Sequence, residues 1–375
     1  MSSTKTRSLR IYVHAYWQQN LGDDLFVKVL CERYPEVLFY GACSRRKSRA
    51  FEALDNFRRV PRLARVDRIL SRLSLGPLLG PALERLYKAR SDAVVNIGGS
   101  IFIEREGWRQ RMPAMRARFG SGKQTYVVGS NFGPYEDPHF LDEYKALLRG
   151  GADVCFRDKV SAELFEELPN CRYAPDVILS MDPGETADHG TAVISVIDLE
   201  TRPSLREHSN AYTTKLSEVA LACIAAGLDV VLMSFCRSEQ DVAAAKRLSQ
   251  ELDKAGASVR SYTYDGDLLA ALTLLSTASV IIGTRFHAVI LAWVFGKRVL
   301  PISYSPKTEH VLRDLAFPGE WINLEEIAEL DVANSVSELL RSAPFAVGEL
   351  RAMAEQQFAG LDAFVAQPLG SRSGG

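Results

Sequence analysis

At 375 residues the chain is long enough for two domains, and its 47% apolar and 24% charged residues are those of an ordinary globular protein. Gly and Pro together number 42, about 11%, which excludes collagen-like and low-complexity classes. Lys and Arg (45) balance Asp and Glu (46) to a net charge of −1, which argues against a dedicated nucleic-acid binder.

The longest wholly apolar run, Ala288–Phe295, has eight residues, against about 20 for a membrane helix. Lys5, Arg7 and Arg10 are not followed by the apolar core of a signal peptide. Cys31, Cys43, Cys155, Cys171, Cys223 and Cys236 are scattered, with no Cys/His cluster at zinc spacing. The expectation is a cytoplasmic chain with free thiols and no metal.

In chain order, β-branched and aromatic runs predict strands at Leu9–Val13, Val37–Tyr40, Ala93–Ile97, Thr125–Val128 and Val154–Phe156. Five more follow at Ala192–Ile197, Val230–Phe235, Val259–Tyr262, Val280–Gly283 and Arg298–Ile302. Several, such as Ala-Val-Val-Asn-Ile and Ser-Val-Ile-Ile-Gly, are largely apolar rather than alternating, as in parallel strands covered on both faces. Between them, Tyr212–Ala226, Glu239–Lys254 and Asp267–Ala278 carry apolar residues at helical spacing. The pattern is α/β with parallel sheets. A polar, aperiodic stretch at Met181–Thr191 divides it into two doubly wound halves, and ligands in such folds bind at the carboxyl ends of the strands.

Charge is uneven: Arg45–Arg90 carries 13 Lys/Arg against 4 Asp/Glu. Within it, Leu63, Val66, Ile69, Leu70 and Leu73 share one helical face with Arg on the other. A packing helix with a solvated basic face and a peripheral contact with an anionic membrane both fit this pattern.

Phosphate-loop, dinucleotide-fingerprint and nucleophile-elbow motifs are missing. What the sequence offers instead is a series of strand-end motifs. Asn20-Leu-Gly-Asp-Asp24 opens a helix expected over Leu25–Arg33, with Asp23 or Asp24 as cap or as a base toward a sugar hydroxyl. Gly98, Gly99 and Ser100 follow the third strand, where bare backbone would admit a ligand. Gly129-Ser-Asn131-Phe-Gly-Pro follows the fourth and Arg157-Asp158-Lys-Val-Ser161 the fifth. Arg157 at a strand end suits a carboxylate or phosphate, while Asp158 and Ser161 equally suit a helix start.

Gly283-Thr-Arg285-Phe-His287 leaves an apolar strand and enters a helix expected over Ala288–Phe295. An extended chain there would point Arg285 and His287 to one side, beside free helix N–H groups. Tyr304-Ser-Pro-Lys307 follows the next strand and adds a phenol and a cation. Together these four residues predict an anion site.

These motifs, with Ala174-Pro-Asp176, come in an order that resembles the polysaccharide pyruvyl transferase family over roughly residues 8–315. Ser100 departs from the Gly, and Ser130 from the Gln, common there. The resemblance implies two Rossmann-like domains facing a cleft, as in B-type glycosyltransferases. An N-terminal domain over 1–183 would hold the acceptor, and a C-terminal domain over 190–345 the donor. Residues 346–375 would form a helix crossing back, then a flexible tail. It implies phosphoenolpyruvate as donor substrate, no required cofactor, and a sugar or lipid-linked oligosaccharide of a cell-surface glycan as acceptor. The product would be a pyruvate ketal, as in exopolysaccharide biosynthesis, made in the cytoplasm with a peripheral contact at the inner face of the membrane.

On that reading Arg157, Arg285, Tyr304 and Lys307 bind the donor, and Asn20, Gly98, Gly99, Ser100 and Asn131 bind the acceptor. His287 is the candidate acid, because its ordinary pKa near 6.5 allows both protonation states. Asp23 or Asp24, across the cleft, is the candidate base. A nucleotide-sugar glycosyltransferase of the same architecture and a non-enzymatic glycan-binding protein are the alternatives.

Overall fold

The computed structural model describes residues 8–61, 79–120 and 122–368. The amphipathic stretch 62–73 lies outside them. Contacts divide the chain into two compact units, one of Met1–Trp17, Phe26–Val177 and Met353–Gly375, the other of Gln18–Leu25 and Ile178–Ala352. The division thus falls after Val177, a few residues before the polar stretch that the sequence marks.

The first unit holds seven parallel strands: β1 (Arg10–His14), β2 (Leu38–Cys43), β3 (Phe57–Pro61), β4 (Ala93–Ile97), β5 (Gln124–Ser130), β6 (Asp153–Phe156) and β7 (Cys171–Tyr173). Their spatial order is β3-β2-β1-β4-β5-β6-β7. The central strand β4, Ala-Val-Val-Asn-Ile, is buried at all five positions, as its four apolar residues demand, and the buried Asn96 Nδ2 donates to Tyr126 O at 3.4 Å. Phe102, Phe132, Phe140, Tyr144, Phe156 and Phe165 form the aromatic core beside it.

The second unit has six parallel strands: β8 (Thr191–Ser195), β9 (Asp229–Ser234), β10 (Arg260–Thr263), β11 (Val280–Gly283), β12 (Arg298–Ser303) and β13 (Ile322–Asn323). Their order is β10-β9-β8-β11-β12-β13. Tyr212, Leu216, Val219 and Cys223, at three- and four-residue spacing, turn one stripe of the helix Ser209–Ala225 into this unit's core. Asp267 and Asp331 cap the helices that follow them, accepting from Ala270 N and Asn334 N.

In each sheet the strand order reverses once, between β1 and β4 and between β8 and β11. Such switch points are where open α/β sheets bind ligands. The motifs singled out in the sequence leave the carboxyl ends of β1, β4, β5, β6, β11 and β12.

Two expected boundaries are corrected. Helix α1 spans Leu21–Arg33, so Asp23 and Asp24 lie inside its first turn. The side chain that meets a first-turn amide is that of Asn20, whose Oδ1 accepts from Gly22 N at 3.2 Å. Residues 18–25 also group with the second unit, so Asn20, Asp23 and Asp24 do not belong with the glycine turns of the first.

The C-terminal stretch from Met353 groups with the first unit. Gln357, fully buried, explains its hold. Its Nε2 donates to the carbonyls of Ala174 (2.7 Å), Pro175 (3.1 Å) and Phe156 (3.3 Å), and its Oε1 accepts from Gly129 N at 2.8 Å. Arg33 pairs with Glu355 and, at 2.7 Å, with Asp362.

Gln357→Leu keeps the side chain's size but strips these strand-end groups of their partner, at about 1–3 kcal/mol for each buried group left unpaired. We expect it to lower the thermal midpoint of the full chain clearly, with the far-UV spectrum of the remaining folded protein unchanged. A midpoint equal to the parent's would contradict the anchor.

Candidate functional site

In the first unit the strand-end motifs close around one guanidinium. Arg157, 2% exposed, pairs with the fully buried Asp176 at 3.0 Å and donates to Asn131 Oδ1 at 2.9 Å. A Cβ at Gly99 would fall 2.5 Å from both terminal nitrogens of Arg157. The expectation that Gly98 and Gly99 leave room for a ligand is therefore corrected at Gly99: the bare backbone there accommodates Arg157. Asn131 is buried and also donates to Gly133 O, whereas Ser100 is exposed. Asp158 is a helix cap, its Oδ1 accepting from Ser161 N at 2.8 Å. Removing one partner of a buried pair such as Arg157–Asp176 typically costs about 3–5 kcal/mol, so Arg157 has a structural task before any other.

The second unit gathers a larger cluster at the ends of β8, β9, β11 and β12. Arg285 is the N-cap of the helix Phe286–Val294, so His287 lies in its first turn, not in extended chain as the alternation argument assumed. The helix starts earlier than expected because Phe286 already belongs to its buried face. Arg285 N donates to Ser195 Oγ across the switch point at 3.1 Å.

The Arg285 side chain is gripped by two carboxylates. Nε donates to Asp241 Oδ2 at 3.0 Å, Nη2 binds Asp241 Oδ1, and Nη1 reaches Glu239 Oε2 at 2.7 Å. Asp241 also accepts from the backbone N–H groups of Phe235 and Cys236. Glu239 binds a second guanidinium, Arg202, at 3.0 Å. Arg202 lies over the ring of Tyr304, 5.1 Å from its centre, and the Lys307 ammonium lies 5.8 Å from the same centre.

Burial would raise the pKa of Glu239, but Arg285, Arg202 and Lys307 together hold it at about 2. At Asp241 burial wins over Arg285 and the pKa is raised. For Arg285 itself, Asp241 and Glu239 outweigh burial and keep it protonated. Burial also opposes ionisation of Tyr304, yet Lys307, Arg285 and Arg202 pull its phenol below the usual value. Three cations against two carboxylates leave a surplus of positive charge, centred on Lys307 and Arg202. Among the described residues no carboxylate forms an ion pair with Lys307. The helices Phe286–Val294 and Pro306–Asp314 both start here without a side-chain cap, which adds the positive ends of two helix dipoles.

The first turn of α1 packs in the same unit. Asn20 Nδ2 donates to Glu239 Oε1 at 3.4 Å. Asp24, 1% exposed, accepts from the hydroxyl of Tyr264 at 2.7 Å, and burial pushes its pKa well up. Asp23 is half-buried.

The polysaccharide pyruvyl transferase family model matches residues 20–306. The chain belongs to that family. It is 24% identical over 276 residues to the amylovoran biosynthesis protein AmsJ of Erwinia amylovora, a match spanning 66% of this chain and 65% of that relative. HepE from Anabaena, solved with UDP and glucose, superposes at a TM-score of 0.56 with 14% identity, covering 97% of this chain and 100% of that one. A putative UDP-N-acetylglucosamine 2-epimerase from Listeria monocytogenes gives a TM-score of 0.55 at 10% identity, covering 96% and 97%. At such identities these likenesses bear on the fold, which is that of the B-type glycosyltransferases.

For this member of the pyruvyl transferase family, the structure thus brings Asn20, Asp23, Asp24, Arg285, His287, Tyr304 and Lys307 into one unit, and Gly98, Gly99, Ser100, Asn131 and Arg157 into the other. Sequence reasoning missed Arg202, Glu239, Asp241 and Tyr264 as site residues. Glu239 and Asp241 stand at the start of the stretch Glu239–Lys254, whose helical spacing gives no sign of a site, and Arg202 and Tyr264 carry no local signal.

The depressed pKa of Glu239 has a consequence for acid stability. A carboxyl held at about 2 when folded, against an ordinary value of about 4.3, contributes stability that is complete above the ordinary value and lost as pH falls toward the folded one. Urea unfolding between those two pH values should therefore be less pH-dependent in Glu239→Gln than in the parent. Equal slopes would show that Glu239 is not held ionised by its neighbours.

Proposed function

We propose that this chain is a pyruvyl transferase that moves pyruvate from phosphoenolpyruvate onto two hydroxyls of one sugar. The observation that carries this reading is the charge surplus of the second unit: Arg202, Arg285 and Lys307 beside two uncapped helix N-termini, in a chain of this family. Phosphoenolpyruvate concentrates a phosphate and a carboxylate on three carbons, and such a compact polyanion needs several cations close together.

The donor sits with its phosphate toward Lys307 and the helix N-termini, and its carboxylate toward Arg202 and Tyr304. Arg285 is already paired with Asp241 and Glu239, so its part is to fix the rim and donate its remaining N–H groups. Protonated His287 gives its proton to the methylene carbon, and C2 becomes electrophilic. A sugar hydroxyl forms the first C2–O bond as its proton passes to a base. The C2–O bond to phosphate then breaks and phosphate leaves with the electron pair, stabilised by Lys307 and the helix amides. A second hydroxyl of the same sugar adds to C2 and loses its proton, closing the ketal.

The two acidic candidates now separate. Asp24 is enclosed and bonded to Tyr264, which suits it to holding the turn. Asp23 is the one with access to solvent, and is assigned the base. The acceptor is a sugar of an extracellular glycan or its lipid-linked precursor, a reading supported by the likeness to AmsJ, an amylovoran biosynthesis protein. A cytoplasmic site suits the donor and a chain whose six cysteines are scattered along the sequence. Among the described residues no helix is long and apolar enough to cross a membrane, so any membrane contact would be peripheral, through the basic region Arg45–Arg90.

Phosphate release from phosphoenolpyruvate in the presence of a panel of sugar and lipid-linked acceptors tests the reading. His287→Ala should reduce the rate by about 10²–10⁴-fold, the range for a lost general acid. Lys307→Met should raise the KM for phosphoenolpyruvate first. Acceptor-dependent glycosyl transfer from a nucleotide sugar, with no phosphate release, would replace this reading by the glycosyltransferase one.

A further inference from the structure

Gly22 lies in the first turn of α1 and adopts no left-handed conformation. At such a position Ala favours the helix over Gly, so backbone freedom does not explain the glycine. Its surroundings do. A Cβ at Gly22 would overlap the His287 ring, 2.6 Å from Cε1 and closer still to Cγ and Nδ1. The imidazole therefore lies with its Nδ1 edge against the bare Cα of Gly22.

Neither side of this contact has slack. The turn carrying Gly22 is tied down within the second unit at four points. Leu21 N donates to Phe235 O at 3.2 Å, Asn20 bridges Cys236, Gln19 Nε2 donates to Asp265 O at 2.8 Å, and Asp24 holds Tyr264. The turn carrying His287 is fixed by the grip of Asp241 and Glu239 on Arg285, two residues away. A methyl group at position 22 would have to turn the imidazole or break one of these ties.

We infer that Gly22 is a positioning residue for His287: its bare Cα seats the Nδ1 edge of the imidazole and leaves the Nε2 edge to carry the proton in the reaction. The role in the reaction rests on the pyruvyl transfer reading above; the seating of the ring does not. On this assignment the Gly of the Asn20-Leu-Gly-Asp-Asp24 motif serves proton transfer in the second unit rather than a tight turn after β1.

Gly22→Ala is the test, read in three ways. Misplacing a reacting group by about 1 Å can cost 10²-fold, so kcat should fall by roughly that factor while the KM for phosphoenolpyruvate stays within about threefold. The ¹⁵N signals of the His287 imidazole should move in the uncomplexed protein, which needs no substrate. Finally, Gly22→Ala should lower the thermal midpoint in the parent but leave it unchanged or raise it in a His287→Ala background, where the overlap is gone. If the double variant is destabilised as much as Gly22→Ala alone, or if kcat and the imidazole signals match the parent's, Gly22 does not position His287. Should the parent show no pyruvyl transfer at all, the functional reading fails, and the imidazole signals and thermal coupling still decide the seating.

Discussion

A buried guanidinium must be met by carboxylates and oriented acceptors, and that requirement arranges the strand ends in both units. Arg157 follows β6 and is met by Asp176 and Asn131; Arg285 follows β11 and is met by Asp241 and Glu239. Arg157 recruits its partners from the adjacent strand ends, β5 and β7, and Arg285 reaches past β8 to the loop and helix that follow β9. A buried charge with one partner removed is far costlier than a lost surface pair. The loops at the switch points are accordingly fixed before any ligand arrives, which is the preorganisation that charge-stabilising sites need.

The two cases differ in what remains exposed. Arg157 is enclosed, with the backbone of Gly99 against its terminal nitrogens. Around Arg285 the two carboxylates do not balance the positive charge, because Arg202 and Lys307 stand beside them with Tyr304 between. A phenol drawn below its usual pKa by these cations reports the same surplus as the carboxyl of Glu239 held at about 2. The field that lowers both would also favour a small anionic ligand in the same place.

How much of this was legible in sequence follows from where each signal comes from. β4 and β11 were read with their observed bounds, because a strand buried on both faces is a largely apolar run without alternation. The three strands that were missed, β3, β7 and β13, are edge strands. They are short or, like Phe-Arg-Arg-Val-Pro in β3, carry charge and proline, the features by which edges avoid further pairing. In the site, Arg285, His287, Tyr304 and Lys307 were legible because each stands within a few residues of a strong strand. Arg202 and Tyr264 were not, since they reach the site from loops whose own sequence has no pattern. Asp23 and Asp24 were recognised but assigned to the wrong side: chain order joins them to β1, whereas the packing of Asn20, Leu21 and Asp24 against Glu239, Phe235 and Tyr264 puts that turn in the second unit.

The central claim is that the cation surplus of the second unit is matched to a compact, doubly anionic donor rather than to a nucleotide. Calorimetric titration of the full chain with phosphoenolpyruvate and, separately, with UDP addresses it most directly. Saturable binding of phosphoenolpyruvate that is weakened in Arg202→Met and Lys307→Met, with no heat from UDP, is the result expected. Saturable binding of UDP, with phosphoenolpyruvate silent or unaffected by either substitution, would contradict it.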